Sequence, residues 1–276
     1  MTQTDSGTSY DAQAITDALY GDGIIGLAGA FSRAWVQRLG EDVGILFAEA
    51  LARPNGAVGR GPNRYYVEIH PERLRGFVEL AGHPWVQTVA TAVLGEEYRI
   101  VEVGFDVPLQ GAMNQPWHRD FPSPAETRDG HRLSSLAFNL STVDVTPDMG
   151  PFEIAVGTQF DDNLDFEHGM FPPEDQWLRY EGLAQRKLPR MGDISARSAL
   201  TIHRGTKHDS PIPRPVLVLG LLAPGADASR NDLVCTRGYY ESLPTDLQGH
   251  LPARLVEELR PLRQKHTIEG LVMGAP

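Results

Sequence analysis

Five apolar stretches of strand length follow one another after residue 97. They are YRIVEVGFDVP (98–108), LSSLAFNLSTVDV (133–145), PFEIAVGT (151–158), GDISARSALTIH (192–203) and RPVLVLGLLAP (214–224). Glycine, proline or aspartate bounds most of them, which is typical of β-strands that are separated by turns. Parallel strands need long crossovers, and only residues 159–190 are long enough to supply one. The stretches therefore predict antiparallel pairing and a mainly β, α+β fold of the double-stranded β-helix type, a cupin-like jelly roll.

Residues 1–97 have a different pattern and are predicted to be mostly helical. Apolar residues recur at helical spacing after Asp11 and after Ser32, and again from about His83 to Leu94. Ser32 is a candidate N-cap, since its hydroxyl can accept from the first free N–H groups of a helix. Residues 1–9 are small and polar and predict a disordered tail. We expect these N-terminal helices to pack on one face of the sheet, and a further short helix to form within residues 243–260.

The chain shows no internal repeat and no boundary between two domains. We therefore predict one domain with a helical part (1–97), a β-helix core (98–225) and a C-terminal extension (226–276). Residues 160–190 interrupt the core, and long loops in compact domains are often lids or binding loops. A passive surface insertion is the alternative for this segment. Its aromatic residues would suit an apolar or cyclic substrate; they are Phe166, Phe171 and Trp177.

Composition and charge narrow the class of partner. The net charge is −11, from 36 acidic and 25 basic residues, which disfavours nucleic acid because its phosphates require Lys and Arg. No apolar run reaches the eighteen residues of a membrane span. The single cysteine, Cys235, cannot form an internal disulfide, and no signal-peptide pattern is present, so the prediction is a cytoplasmic protein. We expect a small-molecule substrate, and a monomer or homodimer.

The segment NQPWHRDFPSP (114–124) carries the strongest chemical signal. In extended backbone, residues i and i+2 project to the same face, so His118 and Asp120 point together. An imidazole and a carboxylate are two of the three ligands in the facial triad of non-haem Fe(II) sites. The third ligand must come from another strand, and the downstream candidates are His131, His168, His203, His208, His250 and His266.

His203 is the favoured third ligand because it ends an apparent sheet strand, whereas the rival His208 lies in a turn-like run. Arg214 follows eleven residues after His203, at the start of the next apolar stretch. On a hairpin partner, an arginine at this offset can cross back and bind a carboxylate in bidentate fashion. 2-Oxoglutarate is one candidate for the owner of that carboxylate.

Three segments, QPWHRDFP, GPFEIAVGTQF and GDISARSALTIHRGTKHDSPIPRPVLVLGL, occur in this order and resemble the phytanoyl-CoA dioxygenase family of Fe(II)/2-oxoglutarate oxygenases. The resemblance covers roughly residues 98–276, including the tail TRGYYESLP...IEGLVMG. It implies that His118, Asp120 and His203 ligate iron and that Arg214 pairs with the distal carboxylate of 2-oxoglutarate. It also implies cosubstrate contacts for Asn139 and, upstream, for Arg64, for which a surface charge is the alternative. Some relatives have a serine where this chain has Gly205, so that hydrogen bond must come from elsewhere.

The predicted function is oxygenation of a small metabolite with Fe(II), 2-oxoglutarate and O2, with hydroxylation in natural-product metabolism as the favoured outcome. The carboxylate of Asp120 favours oxygenation, since the resemblance implies a small residue there in halogenating relatives. Epimerisation, desaturation or ring closure by the same chemistry remains open. A non-catalytic jelly roll with a structural metal, such as zinc, is an alternative of another class. Arg214 disfavours it, because a structural metal needs no carboxylate clamp. The lack of a large basic cluster argues against an acyl-CoA substrate.

Overall fold

A computed structural model describes residues 9–162, 164–227 and 233–265, together with residues 268, 271 and 273. The helices are α1 (Ala12–Gly21), α2 (Arg33–Leu51), α3 (Phe77–Ala81), α4 (Pro84–Leu94), α5 (Ala125–Arg128), α6 (Trp177–Leu183), α7 (Arg237–Ser242) and α8 (Thr245–His250). The strands are β1 (Ile24–Leu27), β2 (Val58–Gly59), β3 (Arg64–Glu68), β4 (Arg99–Pro108), β5 (Ser135–Ser141), β6 (Phe152–Ala155), β7 (Ala184–Lys187), β8 (Ile194–Ser198), β9 (His203–Gly205), β10 (Val216–Leu222), β11 (Val234–Thr236) and β12 (Arg254–Val256). Short 3-10 helices span Pro71–Arg73 and Glu174–Gln176.

The largest sheet, called here the major sheet, has seven strands in the order β1-β8-β5-β10-β4-β3-β2. All of its neighbouring strands are antiparallel, as predicted. Apolar and polar residues alternate along strand β5, and alternate side chains of a strand point to opposite faces of the sheet. Leu136, Phe138 and Leu140 lie in the helix-facing core, and Ser135 and Asn139 line a cavity on the other side.

The minor sheet contains β7, β6 and β9 in that order. It is also antiparallel, and a further bridge joins His203 of β9 to His118. Residues of both sheets line the same cavity, so that cavity lies between them. Two antiparallel sheets that enclose a cavity at one end form a double-stranded β-helix, and this confirms the predicted fold class.

The N-terminal helices cover the outer face of the major sheet, as predicted. Helix α2 begins after Ser32, whose hydroxyl accepts from the Trp35 N–H at 3.3 Å. Helix α4 begins with a proline at its first position, where the missing N–H costs nothing. Trp85 of this helix is buried and meets Phe138 of β5 edge-on, with ring centroids 6.0 Å apart. Burial of such large rings drives the packing of helices on sheet.

The N-terminal part also supplies β1, β2 and β3, which the sequence analysis did not predict. They extend both edges of the major sheet. Within residues 160–190, the structure contains the second 3-10 helix, α6 and β7, and the last of these pairs with β6.

The short helix predicted within residues 243–260 is α8. Helix α8 ends at His250, and Pro252 follows it before the chain enters β12, which pairs in parallel with β11. A proline lacks the N–H that would continue a helix. Within the described residues, none of the helices combines the length and hydropathy that crossing a lipid bilayer requires.

Candidate metal centre

His118 and His203 lie directly opposite each other across an isolated antiparallel bridge. Each backbone N–H donates to the other residue's carbonyl, at 3.0 Å from His118 and 2.8 Å from His203. The centroids of the two imidazole rings are 4.4 Å apart. Two residues that are distant in sequence are thus fixed side by side by backbone pairing alone.

Each of these histidines has one ring nitrogen engaged by a backbone carbonyl. Nδ1 of His118 lies 2.9 Å from the Pro116 oxygen, and Nδ1 of His203 lies 2.9 Å from the Thr201 oxygen. Since a carbonyl can only accept, Nδ1 carries the hydrogen in both rings and Nε2 keeps its lone pair. This second hydrogen bond is the usual way in which a protein orients a metal-binding imidazole.

Asp120 completes the cluster. Its Oδ1 lies 3.4 Å from Nε2 of His203, and one ligand atom from each of the three residues lies within 4.8 Å of the others. Burial lowers the pKa of His118 well below its usual value, with a further contribution from His203. Burial also lowers the pKa of His203, helped by Arg197. Both imidazoles are therefore held neutral, which is the form that binds a metal.

The carboxyl group of Asp120 is held in its ionised form. Burial alone would raise its pKa, but the Arg197 guanidinium and His203 outweigh burial and hold the pKa well below its usual range. Nη1 of Arg197 lies 2.8 Å from Oδ2, and the arginine is itself buried on β8. Sequence analysis missed Arg197. The available signal was a charged residue at an inward position of the short strand ISARS.

The other candidate histidines lie elsewhere. His208 is buried, but its Nε2 lies 2.9 Å from the Ile212 oxygen, and His250 bonds the Tyr98 oxygen through Nδ1. His131 and His168 are exposed, and His266 lies outside the described residues. In the described part of the chain, no other group of three His, Cys, Asp or Glu side chains is close enough to share one ion.

Arg64 and Arg214 line the same cavity, and both are buried. Arg64 donates to Oδ2 of Asp106 at 3.1 Å and to the Thr206 oxygen at 3.0 Å. Arg214 donates through Nε to the Met149 oxygen at 3.0 Å, and its Nη2 lies 4.0 Å from the same Asp106 oxygen. The two guanidinium groups thus share one carboxylate, which leaves a net positive charge.

Two observations show that this charge is poorly solvated. Burial, and then the nearby Arg64, lower the pKa of Arg214 to about 10. Nε of Arg64 has no hydrogen-bond partner in the described part of the chain. A buried cation that lacks a full set of partners is a site for an anion. Arg64 is therefore a cavity residue and not a surface charge.

The position of Arg64 explains why residue 205 is a glycine. A Cβ atom at position 205 would lie 2.3 Å from Nη1 of Arg64, so the guanidinium occupies the space that a serine side chain would need. Asn139 lies on β5 opposite Ser195 and Val218, is partly buried and lines the cavity. The structure thus brings Arg64, Asn139 and Arg214 to the cavity of the metal-ligand cluster.

The cavity has a volume of about 1310 Å³. The aromatic residues predicted to suit an apolar substrate do not line it. Phe166 and Trp177 pack with Trp117 and Tyr180 in a small core of their own. Phe171 packs with Met170 and Met273. The residues that line the cavity are largely polar, small or aliphatic, including inward positions of the major sheet.

No family model matches the sequence, and no curated protein does so either. Solved structures match through their fold. EctD from S. alaskensis, determined with 2-oxoglutarate and 5-hydroxyectoine, is 20% identical, with a TM-score of 0.63, over 96% of this chain and 90% of that one. The non-heme alpha ketoglutarate dependent carbocyclase SnoK from nogalamycin biosynthesis is 16% identical, with a TM-score of 0.62, over 79% and 87%.

AviO1 from Streptomyces viridochromogenes Tue57 is a third match, 16% identical with a TM-score of 0.58, over 80% of this chain and 99% of that one. At these identities the likeness concerns the course of the backbone. It agrees with the double-stranded β-helix described above.

Proposed function

We propose that this protein is a non-haem Fe(II)/2-oxoglutarate-dependent oxygenase that acts on a small-molecule metabolite. The observation that carries the proposal is that one cavity holds both a His-Asp-His cluster and a buried pair of arginines with a net positive charge. The cluster suits a divalent metal with open coordination positions, and the arginines suit a carboxylate. A cosubstrate that chelates a metal at one end and carries a carboxylate at the other requires both the metal-ligand cluster and the arginine pair.

His118, Asp120 and His203 would hold the iron. Their donor set of two imidazoles and one carboxylate is that of the facial triad, and their ligand atoms lie within 4.8 Å of one another. The carbonyl partners of the two Nδ1 atoms and the Arg197 partner of Asp120 fix the three side chains before the metal binds. When bound, iron with 2-oxoglutarate and O2 supplies the oxidation of a C–H bond, coupled to decarboxylation of 2-oxoglutarate to succinate.

Arg214 and Arg64 would bind the distal carboxylate of 2-oxoglutarate. Because Asp106 neutralises one guanidinium charge, a carboxylate would neutralise the second in a setting that excludes most water. Asn139 is proposed as a further contact to the cosubstrate from the same cavity wall. The protein's own part is to hold the reactants in place and keep water from the site.

The reaction outcome is proposed from Asp120 and from the resemblance to the phytanoyl-CoA dioxygenase family. A full carboxylate at this position favours oxygen insertion, so we propose hydroxylation of a natural-product intermediate. SnoK is described as a carbocyclase from nogalamycin biosynthesis, which supports the natural-product context and keeps ring closure as an alternative outcome. Epimerisation and desaturation would use the same residues.

The test is an anaerobic titration of the purified protein with Fe(II) and 2-oxoglutarate, followed by visible absorption. A weak charge-transfer band is expected only when both ligands bind at one metal. The Asp120→Ala variant should lose the band through loss of metal. If the protein bound Zn(II) or Fe(II) while 2-oxoglutarate neither bound nor gave a band, the oxygenase proposal would fail and a non-catalytic metal protein would replace it.

A further inference from the structure

A row of inward-facing residues crosses the cavity wall beside the metal-ligand cluster. In the register of the major sheet, Arg197 of β8 is paired with Ala137 of β5, Ala137 with Gly220 of β10, and Gly220 with Glu102 of β4. Arg197 contacts Asp120, so the row begins at the cluster. Three strand spacings of roughly 4.8 Å separate the two ends by about 14 Å. Because the two middle residues are small, the row forms a shallow floor with a charged group at each end.

The carboxylate of Glu102 is turned over this floor. A Cβ atom at Gly220 would lie 2.7 Å from Oε2 of Glu102, so the missing side chain of the glycine makes room for the carboxylate. The Tyr66 hydroxyl donates a short hydrogen bond to Oε1. No Lys, Arg or His of the described residues forms an ion pair with Glu102, and no donor among them bonds Oε2. One oxygen of a half-buried carboxylate therefore faces the cavity without an ion-pair partner among the described residues.

Ser135 gives a second, independent observation on the same floor. It lies two residues before Ala137 on β5, so its side chain points to the same face. The residue lines the cavity and is 2% exposed, yet its Oγ has no hydrogen-bond partner in the part of the chain that the structure describes. Buried hydroxyl groups are normally bonded, so an unbonded one on a cavity wall indicates a ligand atom.

We propose that the primary substrate presents a protonated amine to Glu102, with a neighbouring polar atom bonded by Ser135. The inference rests on the proposed oxygenase function and specifies the substrate class of that site. The free oxygen of this carboxylate can accept a hydrogen bond, and a ligand ammonium group supplies both the donor and the opposite charge. A hydroxyl group would supply the donor without the charge and bind more weakly. An anionic group would be repelled.

The row also sets a minimum size for the substrate. The carbon that reacts must lie near Asp120 and Arg197, on the opposite side of Ala137 and Gly220 from the carboxylate of Glu102. Allowing for the reach of the glutamate side chain, the substrate must span roughly two strand spacings, about 10 Å. A flat or ring-shaped skeleton suits a floor that is made of Ala137 and Gly220, and an aminated cyclic compound meets both requirements.

The test uses three probes with one ring and different end groups: cyclohexylmethylamine, cyclohexylmethanol and cyclohexanecarboxylate. Their affinities for the full-length protein loaded anaerobically with Fe(II) and 2-oxoglutarate are measured by calorimetry. The amine should bind at least tenfold more tightly than the alcohol, and the carboxylate should bind most weakly. Glu102→Gln should lower the affinity for the amine at least tenfold, to that for the alcohol, and leave the affinity for 2-oxoglutarate unchanged.

Glu126→Gln is the matched control, because Glu126 also lines the cavity but is exposed near its rim. It should leave the affinity for the amine within twofold of wild type. The proposal is overturned if the three probes bind alike, if the carboxylate binds best, or if the two glutamine variants behave alike. An intact charge-transfer band in Glu102→Gln shows that this variant is folded and loaded.

Failure of the oxygenase proposal would look different. The wild-type protein would then show no band with Fe(II) and 2-oxoglutarate, while the same probes could still be compared in metal-free protein. The role of Ser135 is tested with a second pair of probes, trans-4-aminocyclohexanol and cyclohexylamine, which differ by one hydroxyl group. The added hydroxyl should increase the affinity at least threefold in wild type, and Ser135→Ala should abolish this gain. Equal gains in affinity in both proteins would show that Ser135 does not bond the ligand.

Discussion

Nη1 of Arg197 lies 2.8 Å from Oδ2 of Asp120, and this ion pair forms beside the two histidines that share the candidate metal centre. The arginine holds one oxygen of the carboxylate, while the other, Oδ1, lies toward Nε2 of His203. The pair thus fixes which oxygen faces the metal position. A carboxylate held in this way offers one ligand atom and leaves neighbouring positions open.

Replacing Arg197 by methionine should weaken Fe(II) binding by roughly tenfold to a hundredfold, the usual effect of losing a residue that orients a metal ligand. The methionine keeps most of the volume and removes the hydrogen bonds. Anaerobic Fe(II) titration with a competing chelator measures the affinity. Arg197→Lys, which keeps the charge but not the planar fork, should recover part of the loss. Unchanged affinity in the methionine variant would show that Asp120 needs no such partner.

Replacing His118, Asp120 or His203 singly by alanine should abolish iron-dependent succinate formation, because loss of one ligand from three removes both affinity and geometry. His208 supplies the contrast. It is buried five residues from His203, but its Nε2 already lies at a backbone oxygen. His208→Asn should therefore keep metal binding, as measured by metal content after gel filtration. Loss of metal from this variant, with retention in His203→Ala, would reassign the third ligand.

The sequence predicted the metal-ligand residues of the candidate site because residues i and i+2 of extended backbone share a face. The i and i+2 spacing put His118 and Asp120 on one face. The reason for choosing His203 was wrong in part, because β8 ends at Ser198 and His203 begins β9 in the minor sheet, where it bridges to His118. Arg214 was found from its position just before a strand, but the expected hairpin is wrong, because β10 pairs with β4 and β5 in the major sheet whereas β9 pairs with β6 in the minor sheet. The structure brings all four to one cavity, and their roles in binding remain predictions.

Other residues of the site depend on contacts that the local pattern does not contain. Arg197 lies in a short strand, and its partner Asp120 is distant in the chain, so its charge alone did not reveal its position. Arg64 could be placed on the surface or in the site until the structure showed it 2% exposed. Its strand β3 has five residues and joins the sheet through β4, far along the chain. Such long-range pairing overrides local patterns.

Acidification should destabilise the metal-free protein. The pKa values of His118 and His203 are lowered in the folded state, so unfolded chains take up protons below about pH 6.5 while folded ones do not. Stability is therefore retained above this pH and falls as the pH drops below it. Both histidines contribute to this loss in the same direction.

Urea unfolding in EDTA, at about pH 7.5 and about pH 5.5, measures this loss. The double variant His118→Gln/His203→Gln should lose less stability on acidification than wild type, since glutamine does not titrate. Equal losses in the two proteins would assign the acid sensitivity to other groups, such as His70 and His83, whose pKa values burial also lowers.

Replacing Arg214 by alanine should raise the apparent KM for 2-oxoglutarate by roughly 30-fold or more and leave Fe(II) affinity nearly unchanged. A bidentate, partly desolvated Arg–carboxylate pair is worth on the order of 2–5 kcal/mol when one partner is truncated, and about 1.4 kcal/mol corresponds to a factor of ten. Arg214→Lys should recover only part of the loss. Succinate formation at varied 2-oxoglutarate measures KM. A loss confined to the primary substrate would contradict the assignment.

A serine at position 205 should disturb the cosubstrate site through Arg64. The added Cβ would lie 2.3 Å from Nη1 and 2.5 Å from Cζ of the guanidinium, so Arg64 must move away from Asp106 and the Thr206 oxygen. We expect Gly205→Ser to raise the KM for 2-oxoglutarate about tenfold, and Arg64→Ala to do the same. Because both act on one guanidinium, the double variant should be no worse than either single variant, which is strong non-additivity. Urea unfolding of wild type, both single variants and the double variant distinguishes loss of folding from displacement of the Arg64 guanidinium. Gly205→Ser should lower the free energy of unfolding when Arg64 is present, and lower it less when residue 64 is alanine. Additive effects on KM would mean that Gly205 is required for a reason other than the space that Arg64 occupies.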